Sequence, residues 1–382
     1  MMESRLLEKI TEIVLTGGPC SGKTTGLGYL QEKLQDRGFR VFINPEVATM
    51  FIGGGIPDIN DIAKTNPVKY VEIEKQMLLT QLALRRSFGA LAELFPNEKR
   101  VIIHDRGMMD VAAYIPRDYF SSILKENGLD LKDVRDGYDA VFHLVTAANG
   151  AERFYTNKNN PARRENLMEA READDLTLQA WIGHNHLRII NNSTDFETKM
   201  KRLLQSVSRA LGIPVPLEIE RKFLLKQKPV FPTEILNYAQ EILIEQIYLT
   251  TPDNREIRIR KRSQNGSSVY YKTQKIDVGI GVRQETENFI SSRDYLDLQK
   301  LQDPDSQTIK KLRFCFVYKD QYFELDSFVK PVTGLYLLEI ELTEVNDRLE
   351  LPPFLEIAGE ITGDRRYTNF AISRKDWVRP PA

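Results

Sequence analysis

Eight consecutive residues, Gly17-Gly18-Pro19-Cys20-Ser21-Gly22-Lys23-Thr24, have the types and spacing of a phosphate cradle. A glycine and four further residues lead into Gly-Lys-Thr, and Thr25 follows. In such a loop successive backbone N–H groups converge on the α- and β-phosphates. Lys23 would reach the β- and γ-oxygens, and the Thr24 hydroxyl would take Mg²⁺. The apolar run Ile13-Val14-Leu15 precedes the glycines as a strand would. Leu27, Leu30 and Leu34 follow at helical spacing, so a helix N-terminus faces the same anion. The context selects a nucleoside triphosphate site over a chance glycine-rich turn.

Other first-half candidates lie at strand ends. Residues 40–46 read as a second strand ending on Glu46, which could accept the proton of an attacking hydroxyl or be an exposed loop glutamate. Residues 51–58 read as a glycine-rich loop able to cover a second substrate, and residues 68–94 as a helix. Residues 101–103 form a short buried strand before Asp105, Arg106 and Gly107. Asp105 is placed as a second Mg²⁺ anchor or a structural cap, and Arg106 to meet a transferring phosphoryl group. After a strand at 139–145 come Arg153, Arg163, Arg164 and Arg171, which have the makings of a phosphate lid or of a solvated charged helix face. Residues 187–193 read as the last strand and 196–211 as the closing helix. Alternating strands and helices predict an α/β parallel sheet with right-handed crossovers. His104, His143, His184 and His186 have no metal-ligand spacing.

The chain has 382 residues, long enough for two domains. With 41% hydrophobic and 28% charged residues its composition is that of a soluble globular protein. A formal charge of −1 gives no global field toward nucleic acid, and no nucleic-acid partner is expected. Two cysteines, Cys20 and Cys315, supply no disulfide framework. No signal peptide, lipidation motif or spanning apolar run is evident, so a cytosolic location is expected, with membrane contact at most peripheral.

The strings GGPCSGKTT, HDRGMMDVAAY, FHLVTAANGAERFYT and WIGHNHLRIINNSTDFETK, with Glu46, resemble the nicotinamide-riboside-kinase-like ATPase family across residues 10–211. The resemblance implies a kinase-like P-loop domain, assigned here to residues 1–211.

Residues 212–216, with two prolines, form a hinge. Beyond it the rhythm changes to successive strands across residues 217–382. Glu218, Glu220 and Lys222 share one strand face. The device recurs with Glu256, Arg258 and Arg260; with Lys272; with Arg283, Glu285 and Glu287; with Lys311 and Arg313; with Glu324 and Asp326; and with Glu339 and Glu341. These ionisable groups could face water, or line the interior of a closed barrel where acids and bases neutralise each other. In a barrel, Lys222, Arg258, Arg260, Lys272, Arg283, Lys311 and Arg313 would bind phosphate oxygens. Glu218, Glu220, Glu285, Glu287, Glu324, Asp326, Glu339 and Glu341 would hold divalent metal.

LEIERKF carries the E-x-E-x-K signature of the CYTH, or triphosphate tunnel metalloenzyme, superfamily. IRIR, YYK, RQETE, KLR, ELDSF, LLEIE and EITGDRRYTN follow in that family's order. The resemblance implies an α+β domain around an eight-stranded antiparallel β tunnel. It implies Mg²⁺ or Mn²⁺ on Glu218, Glu220, Glu339 and Glu341, with Glu285 and Glu287 assisting. It further implies a triphosphate held by Lys222, Arg258, Arg260, Lys272, Lys311 and Arg313. Activities in the family include hydrolysis of tripolyphosphate or thiamine triphosphate, RNA triphosphatase action and adenylate cyclisation.

The pairing of domains resembles the animal TRPL-translocation-defect proteins, which are GTP-binding and acidic-phospholipid-binding, and the plant tunnel proteins that carry a uridine-kinase-like domain. Two expectations follow. One is an enzyme that binds GTP or ATP and hydrolyses an inorganic or organic triphosphate. The other is a regulatory GTP-binding protein whose tunnel grips phosphorylated headgroups. No Asn-Lys-x-Asp signature fixes guanine; the nearest string, residues 156–160, lacks the aspartate.

Overall fold

The computed structural model describes residues 9–155, 166–213, 219–251, 256–279, 282–342 and 348–380. The chain divides near residue 214 into two compact units, each described by itself.

In the first unit the order is β1 (Ile10–Thr16), α1 (Lys23–Gln35), β2 (Phe39–Asn44), α2 (Val47–Gly54), α3 (Ile59–Thr65), α4 (Pro67–Glu93), β3 (Lys99–Asp105), α5 (Arg117–Glu126), α6 (Leu131–Val134), β4 (Ala140–Leu144), α7 (Leu167–Trp181), β5 (Leu187–Ile190) and α8 (Phe196–Ala210). The five strands are parallel in the order β2-β3-β1-β4-β5. Ile13, Val14, Leu15, Val101, Ile102 and Val141 are fully buried, as an unbroken apolar run must be when both faces of its sheet are covered. Leu27, Leu30 and Leu34 of α1 join Met200, Leu203 and Val207 of α8 in the core. Side chains cap the helices: Asn66 accepts from the Lys69 amide, and Asp195 from Thr198. Because β1 lies between β3 and β4, the ends of all three strands meet at one edge, where an open α/β sheet takes its ligand.

The segment expected as a glycine-rich loop at 51–58 is partly helical. Val47 to Phe51 are non-glycine residues that carry α2 into Gly53 and Gly54, and the helix stops at Gly55, whose φ of 136° only glycine adopts freely.

The second unit runs β6 (Ile219–Leu225), α9 (Thr233–Leu236), β7 (Gln240–Tyr248), β8 (Glu256–Gln264), β9 (Ser267–Gly279), β10 (Val282–Phe289), α10 (Ser292–Gln299), β11 (Ile309–Tyr318), β12 (Gln321–Lys330), β13 (Tyr336–Leu342), β14 (Ile357–Glu360) and α11 (Asn369–Ser373). It is one antiparallel sheet in the order β10-β9-β8-β7-β11-β12-β13-β6-β14. The antiparallel sheet is as expected, with nine strands described where eight are expected. β14 adds a ninth strand beside β6, and among the described residues the edge strands β10 and β14 do not pair with each other. Two-residue turns at Asn265-Gly266 and Lys319-Asp320, all with positive φ, join β8 to β9 and β11 to β12. On one face Phe223, Leu225, Phe316, Phe323, Leu325, Leu338 and Ile340 pack with Phe231 and Phe354 into a core. Among the described residues no helix is long and apolar enough to cross a membrane.

Candidate functional sites

The phosphate loop follows β1, and its glycines are required by what surrounds them. Gly17 has φ 142°, and a Cβ there would lie 2.1 Å from the Leu144 carbonyl oxygen. Gly22 has φ 94°, and a Cβ would meet the Phe196 ring at 2.8 Å. Lys23 Nζ donates to the carbonyls of Gly17 (2.6 Å) and Gly18 (3.0 Å). Burial, then the Arg106 guanidinium, push this ammonium down to about 8 against the pull of Glu46, Asp105 and Asp110. Thr24 and Thr25 are exposed in the first turn of α1.

Glu46 and Asp105, from the ends of β2 and β3, meet beside Lys23. Arg106 Nε donates to Glu46 Oε1 at 2.7 Å, and its Nη1 lies 3.2 Å from Asp110 Oδ1. Arg106 takes a left-handed backbone, φ 69°, uncommon for a side chain of its size. Burial alone would raise the Glu46 carboxyl, but Arg106 and then Lys23 bring it to about 2. Glu46 is therefore a weak base, suited to orienting a hydroxyl by hydrogen bonding. Asp110, which sequence reasoning missed, sits in a 3-10 turn (Met108–Ala113) and ties the strand ends together. It accepts from Thr16 Oγ1, the Gly107 amide (2.8 Å) and Trp181 Nε1 (3.2 Å).

Asp105 Oδ1 is buried and has no hydrogen-bond partner among the described residues. Burial and the neighbouring Glu46 raise its carboxyl to about 6. An orphaned buried carboxylate oxygen fits a hard divalent cation.

Of the expected lid arginines, Arg153 and Arg171 lie within the described residues. Arg153 is exposed, its guanidinium 4.6 Å over the Phe154 ring. Arg171 bonds the Ala148 carbonyl (2.6 Å) and Glu152 (2.8 Å). Arg163 and Arg164 lie outside the described residues. Of the histidines, His143 is fully buried with Nε2 3.2 Å from Asp174, and His104 lies 3.1 Å from Glu12.

In the second unit, register settles which face the charges take. Arg258, Arg260 and Arg262 of β8 lie opposite Tyr248, Gln246 and Ile244 of β7. Ile244 lies opposite Lys311 of β11, and Ile242 opposite Arg313. Arg313 faces Asp326, and Glu324 faces Glu339, which in turn faces Lys222. One continuous face thus carries the charges, and Arg258, Arg262, Lys311, Arg313, Asp326 and Glu339 on it are buried. Those six side chains are withdrawn from water on one face of the sheet.

The charges neutralise one another. Lys222 Nζ sits 2.8 Å from Glu339 and 3.7 Å from Glu220. Arg313 holds Asp326 through Nε (2.7 Å) and Nη2 (2.6 Å), reaches Glu339 (2.9 Å) and also pairs with Glu324. Lys311 Nζ lies 2.5 Å from Asp326. Arg260 is 3.6 Å from Glu287, which accepts from Thr273 at 2.8 Å. Burial would raise the Glu339 carboxyl, but Lys222, Lys311 and Arg313 hold it well below the carboxylate range. Asp326 is 0% exposed with both oxygens engaged, so it orients cations instead of meeting a metal. Glu220, whose side chain is 52% exposed, lies opposite Glu341 in register. Two adjacent carboxylates fit Mg²⁺ or Mn²⁺. Among the described residues no three His, Cys, Asp or Glu side chains form a metal-binding group. Glu218 lies outside those residues. Of Arg283 and Glu285 only the backbone is described, in register with Asp277 and Lys275.

Lys272 is corrected. Register places it opposite Ile259 and Asn288, on the face away from the arginines. Position 275, opposite Glu256 and Glu285, falls on the charged face. The signal was present: a two-residue Asn265-Gly266 turn pairs Gln264 with Ser267, so even positions of β8 face odd positions of β9. Arg262, 5% exposed, was also missed, although it alternates in phase with Arg258 and Arg260.

Comparison with known proteins agrees with both geometries. Residues 12–199 match the family described as AAA domain, and residues 216–371 the family described as CYTH domain. An inorganic triphosphatase of Nitrosomonas europaea is 36% identical over 161 residues, covering 41% of this chain and 96% of the relative. An inorganic triphosphatase of Acetivibrio thermocellus is 29% identical over 152 residues, covering 40% and 90%. A crystal structure of an inorganic triphosphatase covers 44% of this chain and 99% of its own, at 28% identity and a TM-score of 0.32. A phosphate-loop α/β unit joined to an antiparallel sheet with a charged interior is the class defined here. Through its second unit the chain belongs to the CYTH-domain family.

Proposed function

We propose that this protein is a metal-dependent triphosphate hydrolase whose first unit binds a purine nucleoside triphosphate, GTP or ATP. The observation that carries the reading is the buried face on which Lys222, Arg258, Arg260, Arg262, Lys311 and Arg313 stand among carboxylates. A row of guanidinium and ammonium groups in low dielectric is a receptor for a polyanion. Its acids keep the cations aligned until phosphate oxygens replace them. The inorganic triphosphatases that match this unit support the substrate class.

In this reading Lys222, Arg258, Arg260, Lys311 and Arg313 grip the phosphate chain and draw charge from the scissile phosphorus. Asp326 keeps Lys311 and Arg313 from turning away. Glu220, Glu341 and Glu218 hold Mg²⁺ or Mn²⁺, which when bound orients an attacking water and stabilises the leaving oxygen. In the first unit Lys23 and Arg106 neutralise the nucleotide phosphates, and Asp105 and Thr24 hold its Mg²⁺.

A second reading is a regulatory GTP-binding protein at the cytoplasmic face of a membrane, with phosphorylated lipid headgroups in the charged face. The feature in its favour is that the interior carboxylates are already committed to cations, as in a receptor that binds without turnover. Phosphate release by the full chain, supplied in turn with tripolyphosphate, ATP, GTP and thiamine triphosphate plus Mg²⁺ or Mn²⁺, separates the two. Turnover that Glu220→Gln with Glu341→Gln abolishes is the expected result. No release from any substrate, together with binding to vesicles of acidic phospholipid, would replace the enzyme by the regulator.

A further inference from the structure

Lys199, on α8, is a buried cation that the chemistry above does not use. It is 2% exposed. Its Nζ donates to the Ser21 carbonyl (3.1 Å), the Val145 carbonyl (2.8 Å) and Asn192 Oδ1 (2.7 Å). Asn192 in turn donates from Nδ2 to the carbonyls of Thr146 (2.8 Å) and Asn149 (2.6 Å).

This lysine is one of several ties between the phosphate loop and the turn after β4. Thr146 Oγ1 donates to the Pro19 carbonyl, and the Ala147 amide to the Cys20 carbonyl at 3.1 Å. Asp174, on α7, accepts from the Gly18 amide (2.5 Å) and the Thr146 amide (3.1 Å). Three successive loop carbonyls, those of Pro19, Cys20 and Ser21, are therefore each held by a donor outside the loop, Thr146 and Ala147 after β4 and Lys199 on α8. In a planar trans peptide the carbonyl of one residue and the N–H of the next point in opposite directions. Fixing those carbonyls fixes the N–H groups of Cys20, Ser21 and Gly22 away from these donors.

We infer that Lys199 is a positioning residue for anion binding: with Thr146 and the Ala147 amide it aims three loop amides at the phosphates, and its own charge lies beneath them. An array of amides oriented in advance binds an anion without reorganising, and a cation behind it strengthens the attraction. Three acceptors on Nζ call for the charged form, which burial opposes. Burial pushes the ammonium down to about 7, with Asp174 opposing and Lys23 and Arg202 reinforcing the fall.

The inference rests on the reading of the loop as a nucleoside triphosphate site. Its test uses the full chain and calorimetric titration with Mg-ATP, Mg-GTP and the corresponding nucleosides. Lys199→Met is expected to weaken triphosphate binding about 10- to 100-fold. Binding of the nucleoside, which lacks the anion, should change less than threefold. Thr146→Val, which keeps shape and charge, is expected to weaken triphosphate binding about 3- to 10-fold in the same selective way. Thr146→Val also keeps the test open should Lys199→Met fail to fold. Triphosphate affinities within twofold of wild type in the folded variants would overturn the inference. So would a loss equal for nucleoside and triphosphate, the mark of a merely structural role. If the wild-type chain binds neither nucleotide, the reading of the loop falls and this inference with it.

Discussion

Asp326 shows how a single buried carboxylate can organise the cations of a charged face. It is fully buried, with Lys311 on one oxygen and Arg313 across both. Removing one member of a buried charged set leaves the others uncompensated, at about 3–5 kcal/mol. Asp326→Asn should destabilise the second unit by roughly that amount in urea unfolding. The sign of its pH dependence follows from the direction of the shift. Despite burial, Arg313 and Lys311 hold Asp326 below its ordinary 3.8, and Lys222, Lys311 and Arg313 hold Glu339 below 4.5. Their contribution is complete above the unfolded values and disappears as pH falls toward the lower folded ones. The wild-type unit should therefore lose stability with acid from about pH 4.5 downward. The Asn variant should show a shallower acid limb, and an unchanged limb would mean that Asp326 is not the group being titrated. From sequence, Asp326 looked like a metal ligand because alternation assigns a face and says nothing of partners. Arg313 and Asp326 are brought together by a strand pairing that no local pattern states.

At the level of elements, the chain was legible wherever a local rule fixes geometry. The strand, glycine loop and helix at residues 10–35 were readable because Gly17 and Gly22 answer steric demands that no other residue meets. Gly17→Ala makes the demand measurable. Its Cβ would collide with the Leu144 backbone, forcing β1 and β4 apart at the edge that carries the loop. A fall of about 2–3 kcal/mol in first-unit stability, with the second unit untouched, is expected in thermal unfolding. Equal stability would show that the edge accommodates the methyl group. Legibility failed where two rules competed. Gly53, Gly54 and Gly55 suggested a loop, yet the residues before them extend α2. On β9 positions 272 and 275 lie on opposite faces, and only the turn at Asn265-Gly266 decides which of them shares the face of Arg258. The ties that orient the loop through Lys199, Thr146 and Asp174 were invisible for a different reason: they join residues more than a hundred positions apart.

For the whole molecule, composition allowed two units, and each has its own core. If the sites work independently, Lys23→Ala should abolish nucleotide binding while leaving tripolyphosphate release by the second unit within twofold of wild type. Loss of both in a folded variant, read from nucleotide titration beside phosphate release, would mean that one site governs the other. A practical consequence follows from the placement of the chain's two sulfhydryls. Cys315 is sealed inside the sheet of the second unit, and burial pushes its thiol up to about 11, which leaves it inert. Cys20 stands partly exposed on the rim of the loop, between two of the carbonyls tied to the β4 turn. The native sequence thus carries its own attachment point for a fluorophore, without engineering, on the loop proposed to receive the nucleotide.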